Sequence, residues 1–473
     1  MAEQPDRQDS PEASHATNGS LIEAARCPRC AAGIDVGEST IVCPGCAQTY
    51  PRLGEIPVLL ADSQAYLASC RQQLALLERE AGETVKKIEA ELPAADMLPI
   101  TRTRCHAVIE GIRGQLADVR ALVEPLLTAA ASESEGLPPY GDVPATLEYL
   151  PYLHRDWASP SEPDGENERA LATVEAVLEG RLLGRTLVLG AGACRLAYDL
   201  HRRHPAAEIV VIDLDPVLFC AAHAVTRGES VSVREANWEI CEVEHSSREW
   251  VLTAPDGPVD HDRFHFMLAD GVDPPFAPGM ADTVVTPWFI DQGPEDVRDF
   301  IGTLHRLLKP GGLWLNLGPL RYEPDVPITL RFAREELFDL VARSGFRLNR
   351  WQTDSAPYLV SKLNGRGKME WVLSFSATKL ESPSDGKSPE DGPPPWLIFP
   401  HLPIPTFPGQ SLFWSETPLF QMVVSVIDGR RTLDDIARLV AERAPRSELS
   451  KSQTRVAVRQ CLAEVHPECR RDS

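Results

Sequence analysis

Positive charge is scarce in this chain: 47 Lys and Arg stand against 69 Asp and Glu, a formal net charge of −22 over 473 residues. A field of that sign repels phosphate backbones, which sets nucleic acid aside as the expected partner. Long apolar runs are missing as well. No stretch approaches the ~18–20 residues a membrane-spanning helix needs, and Met1–Ser20 lacks the apolar segment of a secretory signal, so a cytoplasmic protein is expected. A disulfide-type spacing of cysteines is absent too. Of 11 cysteines, four sit in two tight pairs and seven are scattered, which fits reduced thiols plus one metal site rather than a disulfide framework. No internal repeat is visible, and the length suggests roughly two to four domains.

What is present divides the chain. Residues 1–20 carry Ser, Glu, Asp and Ala with almost no large apolar side chain and are expected to be a disordered tail. Over 21–60, Cys27-Pro-Arg-Cys30 and Cys43-Pro-Gly-Cys46 form two CxxC knuckles with twelve residues between them. Four thiolates at that spacing converge tetrahedrally on one Zn(II) and leave no open ligand position, so the metal is expected to be structural. Over 61–139 apolar residues recur at helical spacing, interrupted by Pro93 and Pro99, which predicts a helical hairpin. Residues 381–399 gather Pro, Ser, Gly and acids and read as a linker, leaving 400–473 as a small module.

From Arg185 onward the pattern changes to short β-branched runs, TLVLG, EIVVID, HFMLAD, DTVVTPWF and GLWLNLG, each followed by room for a crossover. This predicts an α/β domain over 140–380 with a doubly wound, mostly parallel sheet. The first strand leads into Gly190-Ala-Gly192-Ala-Cys194-Arg195, where small residues let the backbone approach a ligand. Asp213, at the end of the second strand, stands where a carboxylate accepts from a ribose diol. A dinucleotide site wants a third glycine near 194 or 195 to seat a pyrophosphate, and Cys194 and Arg195 occupy that place. Asp270 and Asp291 close the third and fourth strands, and ligands bind outside the carboxyl ends of such strands, so Asp213, Asp270 and Asp291 are expected to line one crevice. The alternative for these acids is helix capping, in Asp291's case of a helix beginning near Glu295. The run Leu308-Lys309-Pro310-Gly311-Gly312 resembles the turn before the fifth strand of class I methyltransferases.

Several linked motifs resemble the carnosine N-methyltransferase family: Tyr152-Leu-His-Arg155-Asp156-Trp157 with Glu168-Arg169 downstream, GAGACRLA from Gly190, Phe289-Ile290-Asp291, and Asn316-Leu-Gly-Pro-Leu-Arg-Tyr322. The resemblance spans roughly 140–380 and implies a seven-stranded methyltransferase sheet that binds S-adenosylmethionine. It implies that Arg155 pairs with the methionine carboxylate, Gly190 and Gly192 border the methionine and ribose, Asp213 holds the ribose and Asp270 flanks the adenine. Tyr152 and Pro287 belong to the same cofactor set. Asp291 is implied as the acceptor contact that orients the nucleophile or takes its proton, with Tyr322, Glu323 and Tyr358 on the substrate side. Glu323 stands where the family has a histidine, and Met369-Glu370-Trp371 where it has tyrosines. The acceptor is therefore expected to be an imidazole or amine compound, or a histidine-like side chain of a peptide, other than carnosine itself.

Tyr50-Pro-Arg-Leu-Gly-Glu-Ile-Pro-Val-Leu-Leu60 resembles the small zinc ribbons that bind and activate tRNA and protein methyltransferases. The string Asp428-Gly-Arg-Arg-Thr432-Leu-Asp-Asp435-Ile-Ala resembles winged-helix modules of the PQQ-biosynthesis chaperone type, which bind leader peptides. The departure at Glu323 leaves a different reading open: a non-catalytic assembly protein whose methyltransferase fold has lost its substrate site and which recruits partners through its ribbon and C-terminal module.

Overall fold

A computed structural model describes residues 21–37, 40–129, 150–158, 165–237, 242–324, 326–361, 365–381, 394–407, 410, 417–443 and 451–465. The expected tail at 1–20 and most of the expected linker, 382–393, lie outside the described residues. Around the cysteine knuckles, β1 (Asp35–Val36), β2 (Ile41–Val42) and β3 (Thr49–Tyr50) make a three-stranded antiparallel sheet. Then come β4 (Arg52–Leu53) and β5 (Ile56–Leu59), the long helices α1 (Ser63–Glu91) and α2 (Pro99–Leu122), and the short α3 (Glu124–Ala129). Asp62 caps α1 by accepting from the Ala65 N–H at 3.0 Å. Pro99 opens α2, where a missing N–H leaves no intrahelical bond unmade.

The helices α4 (Leu150–Trp157) and α5 (Glu166–Leu178) precede the α/β alternation β6 (Arg185–Leu189), α6 (Arg195–Arg203), β7 (Glu208–Asp213) and α7 (Pro216–Thr226). A hairpin of β8 (Val231–Ala236) and β9 (Ser247–Leu252) interrupts it, which no period in the sequence had signalled. Next are β10 (Phe264–Ala269), β11 (Ala281–Pro287), α8 (Val297–Leu307), β12 (Leu308–Gly318), α9 (Arg334–Arg343), β13 (Phe346–Tyr358) and β14 (Lys368–Lys379). The five runs read from the sequence are β6, β7, β10, β11 and β12, parallel to their neighbours among themselves, and β14 lies antiparallel between β12 and β13. Strand residues alternate between two cores. Val188, Ile209 and Val211 pack with α4 to α7, whereas Leu187, Leu189, Val210 and Ile212 pack with α8, α9 and the cysteine knuckles.

The structure bears on three expectations. The sheet has nine strands in the order β13-β14-β12-β11-β6-β7-β10-β5-β4, seven of them from between Arg185 and Lys379. The other two follow the cysteine knuckles: Val58 and Leu59 pair in parallel with Leu268 and Ala269, covering the edge of β10. An unpaired edge is a row of free N–H and C=O groups, and the chain satisfies it internally. Second, residues 394–399 are not linker: α10 (Pro395–Ile398) is folded, with Trp396, Leu397 and Phe399 buried. Third, the C-terminal module shows α11 (Pro418–Ser425), α12 (Leu433–Arg443) and α13 (Lys451–Val465), but among the described residues no wing, only an isolated bridge between Pro403 and Thr432. Thr432 and Asp435 exchange a reciprocal cap at the start of α12, at 3.1 Å each way. No described helix is long and apolar enough to cross a membrane.

Candidate functional site

A cavity of about 400 Å³ opens at the carboxyl ends of β6, β7, β10, β11 and β12. The glycine turn forms its floor. Gly190 and Gly192 have φ of 69° and 55°, and a Cβ on Gly190 would stand 2.2 Å from the Phe289 ring, so neither position accepts another residue without strain. Cys194 holds the next left-handed position, φ 66°, as the N-cap of α6 with its thiol buried in the core. Arg195, where a dinucleotide site has glycine, is 8% exposed and pairs with Asp199 at 2.9 Å and with the Asp156 carbonyl at 2.5 Å.

Asp213 ties this turn to its strand. Its carboxylate accepts from the N–H groups of Gly192 (2.7 Å), Leu214 (2.7 Å) and Asp215 (2.9 Å), and burial still raises its pKa against those three donors. The cap of α7 is not Asp213 but Asp215, which accepts from Val217 and Leu218. Asp270 lines the opposite wall while accepting from the Val272 N–H at 2.8 Å.

Arg155 enters from α4. Its Nε donates to Asp156 at 2.6 Å, and its guanidinium lies 5.2 Å from the Tyr152 ring centre and 5.5 Å from that of Tyr358. Burial, the largest single influence, would weaken its charge, but Asp156, Tyr358 and Glu166 together outweigh burial and hold the guanidinium more firmly protonated. Tyr358 stacks on Trp288 at 5.1 Å and 15°. The cavity thus gathers Tyr152, Arg155, Gly190, Gly192, Asp213, Asp270, Pro287 and Tyr358.

It does not gather Asp291, Tyr322 or Glu323, which correct the expectation of a shared crevice. The 288–293 segment turns sharply, Trp288 at φ 49° and Gly293 donating to the Phe289 carbonyl at 2.8 Å, so Phe289 and Gln292 face the cavity and Asp291 faces away. Asp291 is 2% exposed and accepts from the Arg321 N–H at 2.7 Å. Its other oxygen is buried without a partner. Burial raises its carboxyl to about 6, with Glu370 and Glu323 adding to the rise and the Arg321 N–H opposing it. The capping alternative is also set aside, because α8 is capped by Asp296. Tyr322 donates to the Phe332 carbonyl at 3.3 Å.

Residues that the sequence reading passed over complete the wall. Trp288 contributes an indole N–H that is buried with no acceptor, and Gly318 makes room for it, since a Cβ there would lie 2.9 Å from the Trp288 Cα. Glu166 accepts from the N–H groups of Leu359 and Val360 at 3.0 Å each, holding the end of β13 over the cavity. The one sequence signal for Trp288 was its place just after Pro287 at the strand end.

Away from the cavity, the four knuckle cysteines bring their sulfurs within 4.8 Å of one another. Cys27 and Cys46 are 3.7 Å apart and Cys30 and Cys43 3.4 Å. A tetrahedral Zn(II) with bonds of about 2.3 Å needs sulfur separations of about 3.8 Å, so the set fits. Burial opposes ionisation of Cys27, but the Tyr50 hydroxyl at 3.0 Å and the backbone N–H groups of Cys30 and Arg29 outweigh it and bring the thiol down to about 6. Gly45 permits the close approach, as a Cβ there would stand 2.8 Å from the Ala32 Cβ and 3.4 Å from the Cys30 sulfur.

Compared with known proteins, residues 258–366 match a family model described as carnosine N-methyltransferase. The match is narrower than the 140–380 span of the motif resemblance and holds Asp270, Pro287, Asp291 and Tyr358 but not the glycine turn or Arg155. The carnosine N-methyltransferase of Rattus norvegicus is 39% identical over 70 residues, 14% of this chain and 17% of that protein. The carnosine N-methyltransferase unmet of Drosophila melanogaster is 43% identical over 60 residues, 12% and 13% of the two chains. The chain thus spans less than a fifth of the length of these curated relatives. Among solved structures, the Haemonchus contortus phosphoethanolamine N-methyltransferase 2 with S-adenosylhomocysteine aligns over 52% of this chain and 62% of its own, with 13% identity and a TM-score of 0.34.

Proposed function

We propose that this chain is an S-adenosylmethionine-dependent N-methyltransferase acting on a small imidazole or amine compound, or on a histidine-like side chain of a peptide. The observation that carries the reading is the convergence of the Gly190–Gly192 turn, Asp213 and Arg155 on one cavity. The local similarity of 258–366 to carnosine N-methyltransferases supports the same class. When bound, S-adenosylmethionine supplies a sulfonium-borne methyl group open to in-line displacement by a nitrogen. The glycine turn would border the methionine and ribose, Asp213 would accept from the ribose hydroxyls, and Asp270 would flank the adenine beside Pro287. Arg155 would hold the amino-acid carboxylate through its fork, next to Tyr152. Tyr358 and Trp288 would exclude water from the acceptor side, so that alignment and desolvation supply most of the rate.

Asp291 is the proposed acceptor-side carboxylate, with Tyr322 and Glu323 beside it. Its partnerless oxygen and raised pKa suit a proton acceptor near neutrality. That role requires the 288–293 turn to rearrange so that Asp291 swings from the Arg321 N–H toward the cavity, which it does not line in this structure. The cysteine cluster is proposed to hold a structural Zn(II) that takes no part in the reaction.

Calorimetry with S-adenosylhomocysteine tests the cofactor assignment: the chain should bind it, and Arg155→Ala should weaken binding by about 1.5–3 kcal/mol, the worth of a hydrogen bond to a charged group. Asp291→Asn should keep that affinity and lose turnover of imidazole or amine acceptors. A chain that binds no S-adenosyl compound would end the reading.

A further inference from the structure

His154 precedes the proposed carboxylate-binding arginine and looks incidental in the sequence, yet it is only 8% exposed. Its Nδ1 lies 3.1 Å from the Glu235 Oε2, and its ring packs on Trp250 at 4.7 Å. The Trp250 indole N–H donates to that same oxygen at 3.1 Å. Because a carboxylate only accepts, the Nδ1 is the donor whether or not the ring is charged. Glu235 and Trp250 belong to the β8–β9 hairpin, inserted between α7 and β10.

The hairpin is itself held rigidly. On α2, Asp118 accepts from the Arg234 N–H at 2.9 Å and Gln115 from the Ala236 N–H at 3.2 Å. Gly111 and Gly114 of α2 let it lie close, since Cβ atoms there would meet Ser247 at 2.6 Å and Arg234 at 2.4 Å. Other contacts fix where α4 ends: Trp157 donates its indole N–H to the Ala193 carbonyl at 2.7 Å, Thr253 N–H donates to the Trp157 carbonyl at 2.9 Å, and Asn167 donates to the Arg155 carbonyl at 2.9 Å. Rotation about the axis of this eight-residue helix is shared between its buried face, Leu150, Leu153 and Trp157, and the His154 contact on the hairpin. Successive residues stand about 100° apart around a helix, so anchoring residue 154 on the hairpin refines the direction of residue 155.

We propose that His154 is a positioning residue: its Nδ1 contact with Glu235 completes the setting of α4 and thereby aims Arg155 at the carboxylate of an S-adenosyl amino acid. The inference rests on the cofactor assignment above. None of the residues that carry it lies within 258–366, the segment similar to known methyltransferases.

The full chain and its His154→Phe, His154→Asn and Glu235→Leu variants would be titrated by calorimetry with S-adenosylhomocysteine and with 5′-methylthioadenosine, which lacks the amino-acid end. Phe keeps the ring against Trp250 and loses the donor; Asn keeps a donor where Nδ1 stood and loses the ring. Affinity for S-adenosylhomocysteine should fall roughly three- to tenfold in His154→Phe and in Glu235→Leu, the range of a typical hydrogen bond, and recover in His154→Asn. Affinity for 5′-methylthioadenosine should stay within twofold throughout. Unchanged S-adenosylhomocysteine binding in the folded variants overturns the proposal, and so does a parallel loss for both nucleosides. If His154→Phe does not fold, Glu235→Leu decides by the same two readouts. A wild-type chain that binds 5′-methylthioadenosine and S-adenosylhomocysteine equally would show Arg155 idle and end the inference while leaving the nucleoside site standing; one that binds neither removes the cofactor assignment and this inference with it.

Discussion

At the scale of single residues, the cavity floor concentrates carboxyl groups that the fold holds against their preference for water. Asp215 caps α7 with one oxygen and buries the other without a partner, and burial, with Asp213 adding, raises its pKa to about 7. A carboxyl raised above its unfolded value contributes stability that is present at low pH and lost as pH climbs toward the folded value. At pH 8 the ionised Asp215 is therefore a liability that a neutral amide avoids while keeping the cap. Asp215→Asn should raise thermal stability at pH 8 by on the order of 2 kcal/mol, and the gain should shrink by pH 5. A gain that does not change with pH would locate the effect elsewhere. The same scale separates what residue type announces from what it conceals. Gly190 and Gly192 declare a tight turn because other residues would be strained there; His154 and Trp288 carry no local mark, since a histidine or tryptophan beside a motif is as often packing as function.

At the scale of elements, α8 links the C-terminal module to the cavity. The helix starts just after the 288–293 turn, and its cap Asp296 and first-turn Asp299 face α13. Arg459 donates to Asp299 at 2.7 Å, to Asp296 at 3.4 Å and to the Leu397 carbonyl at 3.1 Å, in a contact where all three charged side chains are less than 15% exposed. Further along α8, His401 stacks on His305 at 5.0 Å and lies against Gly302, where a Cβ would stand 2.9 Å from its Nδ1. A buried pair is weak evidence of net stabilisation; without Arg459, Asp296 keeps Arg298 at 2.6 Å while Asp299 keeps only Arg455 at 3.7 Å. Arg459→Ala should therefore cost about 2 kcal/mol in urea denaturation, the worth of a hydrogen bond to a charged group. A loss below 0.5 kcal/mol would mean that water reaches the two aspartates and that the module is only loosely held.

At the scale of the whole molecule, the cysteine-knuckle segment is built into the sheet it adjoins. Its tail supplies β4 and β5, and its knuckle residues Cys27, Ile41, Cys43 and Tyr50 are buried in the same core as β11, β12 and α8. The proposed metal then stabilises more than forty residues, because it holds the strand that covers the edge of β10. Elemental analysis should find one zinc per chain. Stripping it with a strong chelator should lower the melting temperature and promote association through the bared edge. A chain purified without zinc at full thermal stability would dismiss the metal's structural role.

The sequence by itself determined the five parallel strands, the glycine turn after the first of them and the pairing of cysteines into knuckles. Each follows from short-range chemistry: burial period, the φ that glycine permits, the reach of a thiol across two residues. Only the tertiary structure decided that Arg155 meets Gly190 and Asp213 across one cavity, that Asp291 turns its back on it, that the cysteine-knuckle segment lengthens the sheet to nine strands, and that α13 closes over α8. Those outcomes depend on which edge pairs with which strand and on the rotation of short segments, and such choices are fixed by contacts between residues hundreds of positions apart that leave no period along the chain.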